Sequence, residues 1–196
     1  MKAVVLSVTE EELAQRRLTG IDRFDEMWEG VLHMAPAPSF EHQRMVTEIN
    51  RFAGGICERR GRGVLVFQIN VFNDASPKPD YRIPDLTFIA KGREHIIAHD
   101  GTRGGGPDAV IEIRSPEDET YEKFPLFAQL GVREVIVIDR DTKRPEVYRL
   151  AGSQYIAVQI DAQRTLSEVL GIRFIHIEPG RVRLEDIDDP ASHVEI

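Results

Sequence analysis

The sequence is poor in cysteine and lacks long apolar runs. Cys57 is the single cysteine, so the chain can form neither an intramolecular disulfide nor a thiolate metal cluster. No stretch approaches the roughly 20 apolar residues that a membrane-spanning helix needs. The segment from Met1 to Val8 is followed by three glutamates, which makes it too short and too acidic for a secretory signal. These absences predict a cytoplasmic protein without a membrane segment.

Positive charge is also in short supply. The chain has 25 lysines and arginines against 33 aspartates and glutamates, which gives a net charge of -8. Proteins that hold nucleic acid tightly usually carry a basic surface, so only transient contact is expected here, through a patch at Arg59, Arg60 and Arg62. The acidic residues near the end of the chain are expected to form a solvated tail; they are Glu185, Asp186, Asp188, Asp189 and Glu195.

Several common catalytic motifs are missing. The glycine-rich segment 100–106 reads as a flexible loop, lacks the Gly-Lys-Ser/Thr ending of a phosphate-binding loop, and precedes a strand instead of a helix. None of the six histidines belongs to the His-Glu-x-x-His motif of zinc hydrolases. Ser115 has no flanking glycines of a nucleophile elbow. Nucleotide-binding loops, zinc hydrolases and serine hydrolases are therefore disfavoured.

The order of predicted elements indicates one α/β domain. At 196 residues the chain fits one compact domain with a substantial core. Capping signals predict helices that start after Thr9 and Ser39. Apolar patterns and turn residues predict the remaining elements: strands over 24–34, 64–72, 86–90, 109–113 and 135–138, a helix over 118–130, and a hairpin over 147–158. The prediction is a mixed central sheet flanked by helices, with a core over about 24–140 and a C-terminal hairpin and acidic tail over 141–196.

Two carboxylates stand in strands that should be buried. Asp85 follows Pro84 at the start of an apolar strand, and Glu112 interrupts another. An unpaired buried carboxylate is costly, so Glu112 must contact a cation, accept hydrogen bonds or face a cleft. An ion pair with Arg114 or Lys123 would satisfy it. Alternatively, two carboxylates from neighbouring strands can share Mg²⁺, which prefers oxygen ligands and could assist phosphodiester hydrolysis.

A basic group is expected beside this pair, and two residues compete for the place. Arg114 lies two residues from Glu112 and so projects from the same strand face. It could stabilise developing negative charge, although it cannot act as a base. Lys123 lies in the following helix, and a lysine whose pKa is lowered by other cations could help to activate water. A second Pro-Asp pair is less suitable, because Asp108 is four residues from Glu112, roughly 13 Å along one strand.

The pattern of an acid after proline, then Glu-x-basic on the next strand, resembles the PD-(D/E)xK restriction-endonuclease-like superfamily. More closely, the chain resembles the Uma-two family of endonucleases within it. The matching stretches occur in order over about 24–140: residues 26–30, 36–42, Pro84-Asp85, 111–116, Lys123 with Phe127, and 131–139. The resemblance implies a restriction-endonuclease-like fold with Asp85 and Glu112 as ligands of Mg²⁺ or Mn²⁺. It also implies a catalytic Lys123 displaced onto the helix, a further cleft acid at Glu26, and His42 as a neighbour.

Two functions follow from these expectations. The first is a Mg²⁺- or Mn²⁺-dependent endonuclease that hydrolyses nucleic-acid phosphodiesters, with DNA as the expected substrate and a homodimer as the expected assembly. The alternative is a nuclease-fold protein that has lost efficient catalysis and acts as a binding or scaffolding homo-oligomer. The acidic net charge favours the alternative, whereas the carboxylate pair favours the enzyme.

Overall fold

The computed structural model describes residues 3–6, 8–116 and 118–196. Its α-helices are α1 (Glu10–Thr19), α2 (Phe40–Ile49), α3 (Gly55–Arg59) and α4 (Phe124–Gln129), with a π-helical turn at Asn50–Gly54 and 3-10 turns at Glu94–Ile96 and Tyr121–Lys123. Its strands are β1 (Ala3–Val5), β2 (Glu26–Trp28), β3 (Val31–Met34), β4 (Gly63–Phe67), β5 (Asn70–Phe72), β6 (Tyr81–Arg82), β7 (Leu86–Ala90), β8 (Ile97–Ala98), β9 (Gly101–Thr102), β10 (Ala109–Arg114), β11 (Glu134–Asp139), β12 (Pro145–Ala151), β13 (Gln154–Val158), β14 (Arg164–Ser167), β15 (Ile172–Ile177), β16 (Arg181–Asp186) and β17 (Asp189–Glu195). None of these helices is long and apolar enough to cross a membrane.

The central sheet has the order β13-β12-β11-β10-β7-β4. Its two innermost strands, β10 and β11, run parallel, while each of the other neighbouring pairs is antiparallel. Both inner strands are nearly continuous apolar runs, as expected where both faces of a sheet are covered. The predicted hairpin is confirmed, because β12 and β13 pair and extend this sheet. The mixed α/β prediction is therefore confirmed.

The two faces of the central sheet pack against different layers. Alternation along β10 directs Ile111 and Ile113 toward α2 and the C-terminal strands, in a core that also contains Met45 and Phe174. Val110 points to the opposite face and packs with Phe127 of α4. Glu112 is two residues from Val110 on the same strand, so its side chain projects from the face that α4 covers. The N-terminal end of α4 therefore lies close to the carboxylate of Glu112.

The helix predicted over 118–130 is wrong over its first half. A 3-10 turn precedes α4, which begins only at Phe124 and is followed by Gly131 at a left-handed φ of 76°, as predicted for its end. Pro125 lacks an N–H, so it fits only the first turn of a helix. Asp118 instead accepts hydrogen bonds from the backbone N–H of Ser115 and of Thr120, which forms a turn. The turn leaves Lys123 next to the sheet.

The glycine-rich segment that was predicted to be a flexible loop is partly a strand. Gly101 and Thr102 form β9, which lies between β5 and β8 in a second sheet of order β1-β3-β2-β6-β5-β9-β8, and both residues are buried. A Cβ on Gly101 would lie 2.1 Å from the carbonyl oxygen of Asn70. Glycine is required here because two backbones approach closely, and not because the segment must move.

The expected solvated acidic tail is wrong for Glu185 and Asp186, which are buried, whereas Asp188, Asp189 and Glu195 are exposed. Apart from Asp188, which lies in a turn, these residues belong to a third, antiparallel sheet of order β14-β15-β16-β17, whose apolar side chains join the main core. Asp186 is buried and accepts hydrogen bonds from Arg60, while Arg62 donates to Asp188. The basic patch that was predicted to contact nucleic acid is thus largely neutralised by the tail. Charge complementarity across 126 residues of sequence separation was invisible in the local pattern.

Candidate active site

The ends of strands β7 and β10 bring the two predicted carboxylates together. The antiparallel ladder between these strands ends at Ile111 opposite Leu86. One more residue in the same register sets Glu112 opposite Asp85. Pro84 has no N–H to donate, so it cannot continue the ladder. The carboxylates therefore meet where pairing stops, at the carboxyl end of the parallel pair β10 and β11.

Asp85 is held by two hydrogen bonds. Its Oδ2 accepts the backbone N–H of Ile113 at 2.8 Å, which replaces the missing ladder bond. Its Oδ1 lies 2.9 Å from Nε2 of His42. Ser39 caps α2 by accepting the N–H of His42, so the histidine is fixed in the first helical turn. The structure thus places His42 beside Asp85, where it orients the carboxylate.

Lys123 lies between two acids. Its Nζ is 2.9 Å from Oε1 of Glu26 and 3.1 Å from Oε1 of Glu112. Glu26 is itself fixed, because its two oxygens accept the backbone N–H of Ile83 and Nε1 of Trp28, each at 2.8 Å. All three charged side chains are at least seven-eighths buried. Four acidic or basic groups named from the sequence, together with His42, therefore form one cluster.

The electrostatics of this cluster differ from the expectation for Lys123. Burial raises the pKa of Glu112 to about 8, and the charges of Asp85 and Glu26 act in the same direction, while Lys123 opposes them. Burial by itself lowers the pKa of Lys123, but the carboxylates of Glu112 and Glu26 more than reverse this and raise it. The expected fall in the pKa of Lys123 is wrong, since its neighbours are anions and not cations. The lysine stays an ammonium and cannot act as a base here.

The raised pKa of Glu112 predicts a pH-dependent stability. Between the unfolded-state pKa near 4.5 and about 8, the folded protein holds a proton that the unfolded chain releases. The free energy of unfolding should therefore decrease as the pH rises through this window, by up to about 1.4 kcal/mol per pH unit. Urea unfolding in EDTA at several pH values should show this slope for the wild type and a shallower slope for Glu112→Gln. Parallel profiles for the two proteins would contradict the assignment.

Arg114 and Asp108 lie away from the cluster. Arg114 shares the strand face of Glu112, but its side chain extends outward to Asp139, at 3.4 Å, and over the ring of Tyr121. Asp108 is buried at the other end of β10, where it accepts the N–H of Ala90 and pairs with Arg93. The structure thus brings Lys123, and not Arg114, to the carboxylates. Asp108 therefore has a structural role. Its distance from Glu112 agrees with the spacing argument that made it the less suitable metal ligand.

The cluster opens into a cleft of about 330 Å³ that contains residues the sequence analysis missed. Gln68 lines it with a φ of 42°, unusual for a residue other than glycine, and donates its N–H to the carbonyl of Asp85. Glu119 lines it too and contacts His33 at 3.0 Å. Arg140 follows β11 and lies beside Ser115. Parallel strands end at the same sheet edge, so the residue after β11 could have been placed here from the pairing alone.

The donor set is compatible with a hard cation held by few protein ligands. In the described parts of the chain, no group of three or more histidine, cysteine, aspartate or glutamate side chains is arranged to hold a metal. Asp85 and Glu112 supply two carboxylates in one cleft. Mg²⁺ typically uses one or two carboxylates, several waters and substrate oxygens, so two carboxylates are sufficient for such a site. A zinc or calcium site would require more protein donors.

The fold and the clustered acids define the restriction-endonuclease-like class. The Uma2 family, described as putative restriction endonuclease, matches residues 11–177. The chain therefore belongs to the Uma2 family, which confirms the Uma-two resemblance. No curated protein matches it. The crystal structure of a putative nuclease from Anabaena variabilis ATCC 29413 is similar, with a TM-score of 0.60 and 17% identity over 74% of this chain and 83% of that chain. At this identity the likeness shows the fold, and family and fold together support a nuclease.

Proposed function

We propose that this protein is a Mg²⁺- or Mn²⁺-dependent endonuclease that hydrolyses DNA phosphodiester bonds. The observation that carries the proposal is the convergence of Asp85, Glu112 and Lys123 at one sheet edge, inside a cleft. Asp85 and Glu112 would hold the cation. When bound, such a cation polarises a phosphoryl oxygen and lowers the pKa of a bound water. A homodimer and a cytoplasmic location remain predictions from the sequence.

The chain's own groups have separable roles in this proposal. His42 and the N–H of Ile113 orient Asp85, so its oxygens keep one direction. Glu26 holds the ammonium of Lys123 next to Glu112. Because this ammonium stays charged, it would donate hydrogen bonds to a phosphate oxygen and stabilise negative charge as it develops. The proton of the attacking water must then be accepted by another group, such as a substrate oxygen or bulk water.

The alternative function has one observation in its favour. Lys123 is already bonded to two carboxylates, so in this arrangement it stabilises the fold as well as any reaction. A protein that used the cluster only for structure would act as a binding or scaffolding homo-oligomer. It would not bind Mn²⁺ at millimolar concentration, whereas the enzyme would. Titration calorimetry on folded protein separates the two functions.

Incubation with nucleic acid tests the proposed activity. Purified protein with Mn²⁺ or Mg²⁺ should convert supercoiled plasmid to open-circular and linear forms, and EDTA should abolish the conversion because the two carboxylates would lose their cation. Single-stranded DNA and RNA substrates run in parallel establish the preference. Gel electrophoresis over a time course gives the rates. Cleavage that persists in EDTA, or that is equal in Asp85→Asn, would contradict the proposal.

A further inference from the structure

The charge of the cleft raises a question about substrate binding. Glu26, Asp85, Glu112, Asp118 and Glu119 all line it, and so a polyanion would be repelled. Among the described residues that line it, the lysines and arginines are Lys123 and Arg140. Lys123 is bonded to two carboxylates. Arg140 is paired with one carboxylate, Asp141, and is therefore the cation that is better able to attract a phosphate.

Arg140 is oriented on both of its edges. Its backbone N–H donates to the carbonyl of Arg114 at 2.8 Å, which fixes the residue at the end of β11. Asp141, which does not line the cleft, accepts from Nε at 2.8 Å and from Nη2 at 3.3 Å. Nη1 is directed to Oγ of Ser115 at 3.4 Å. With a quarter of its side chain exposed, the guanidinium presents Nη1 to the cleft.

The turn that carries Arg140 contains a second unusual residue. Lys143 has a φ of 60°, a conformation that glycine or asparagine adopts with less strain. Its side chain is also buried, and its ammonium donates to the carbonyl oxygen of Arg140 and to Glu41. Backbone strain and a buried charge are both costly. The hydrogen bonds of the ammonium to Arg140 and Glu41 offset these costs and hold the backbone of Arg140 in place, which is a reason for a lysine at this position.

We propose that Arg140 binds a phosphate group of the nucleic-acid substrate next to the carboxylate pair, and that Lys143 is a positioning residue that acts through it. This inference rests on the proposed function, because it names how that site attracts its substrate. Because Nε and Nη2 donate to Asp141, Nη1 is the donor that would contact a phosphate oxygen, in a charge-assisted hydrogen bond. The hydrogen bonds to Asp141 and Arg114 already restrict Arg140 in the free protein, so phosphate binding would remove less of its conformational entropy.

Oligonucleotide binding tests the role of Arg140. Fluorescence anisotropy of a labelled single-stranded oligonucleotide, in Ca²⁺ and between about 50 and 200 mM salt, gives the Kd and its salt dependence. Arg140→Ala should weaken binding about tenfold and reduce the salt slope by about one. Arg140→Lys should keep the slope and lose only part of the affinity, because the charge remains whereas the two bonds to Asp141 that fix the direction of Nη1 are lost.

Arg183→Ala is the matched control, since Arg183 is also paired with a carboxylate, Glu195, but on the C-terminal sheet. It removes the same charge and should leave Kd and slope unchanged. Lys143→Met keeps the strained backbone and a similar volume while removing the ammonium. The single variant should bind several-fold more weakly than the wild type, whereas adding Lys143→Met to Arg140→Ala should cause no further loss of affinity. A structural role alone would not produce this loss of additivity.

The outcomes separate this inference from the proposed function. If the wild type cleaves DNA while Arg140→Ala binds with the same Kd and salt slope, the phosphate role of Arg140 is overturned and the nuclease remains. If the oligonucleotide binds through Arg140 but no cation supports cleavage, the phosphate role of Arg140 is supported and the proposed endonuclease activity is overturned. If the wild type neither binds nor cleaves, both are overturned.

Discussion

Asp85→Asn is expected to reduce Mn²⁺-dependent DNA cleavage by at least about 10³-fold. A metal ion contributes several kcal/mol to stabilising the transition state, and about 1.4 kcal/mol corresponds to a tenfold change in rate. Asparagine is nearly isosteric, and its amide oxygen can still accept the N–H of Ile113. The change thus removes the charge that a cation needs and keeps the backbone connection. Initial cleavage rates and Mn²⁺ calorimetry on the same preparation measure both consequences.

The second Pro-Asp pair provides the matched control. Asp108 is buried at the opposite end of β10 and accepts the N–H of Ala90 while it pairs with Arg93. Asp108→Asn should therefore lower the thermal midpoint and leave the cleavage rate per folded molecule unchanged. The opposite pattern, with Asp85→Asn fully active and Asp108→Asn inactive although folded, would remove the carboxylate pair from the mechanism.

Glu134→Ala is expected to cost about 3–5 kcal/mol of folding stability, because it leaves buried donors without an acceptor. Glu134 lies at the start of β11 and is 1% exposed. Its carboxylate accepts from Arg149 and the hydroxyl of Ser167, and from the backbone N–H groups of Glu168 and Val169. One side chain thereby joins the central sheet to the C-terminal sheet. A loss of this size should lower the Tm by about 10 °C in a chain of this length.

Glu168→Ala is the control, since Glu168 pairs with the same arginine at 3.2 Å but is exposed. An exposed pair contributes about 1 kcal/mol or less. Differential scanning calorimetry and urea unfolding should thus separate the two variants clearly. Equal losses in both would mean that the charge of Arg149, and not the buried hydrogen bonds of Glu134, governs the connection between the sheets.

The elements with strong local signals were predicted well from the sequence. Capping residues set the starts of α1 and α2, and the bounds of β7 match the apolar run 86–90. The failures fall where a distant contact overrides local preference. Residues 100–106 looked flexible because glycine is permissive, but Gly101 meets the backbone of Asn70. The buried Asp186 looked solvated because its partner, Arg60, lies 126 residues away along the chain.

The site shows the same division. Asp85 and Glu112 stood out by themselves, because a carboxylate within an apolar strand needs a physical reason wherever it occurs. The choice between Lys123 and Arg114 did not follow from spacing, since both could reach the same strand face. The start of α4 at Phe124 decided the position of Lys123, whereas contacts with Asp139 and Tyr121 hold the side chain of Arg114 away from the carboxylates.

The sequence by itself determined the class of fold, the buried carboxylates and the family resemblance, because these depend on periodicity and residue type along short stretches. Only the tertiary structure decided which charges face one another. Lys123 lies among Glu26 and Glu112, so its pKa rises where the sequence suggested a fall. Arg140 lines the cleft because β11 runs parallel to β10 and ends beside it. Electrostatic effects depend on distance in space, and chain position does not determine that distance.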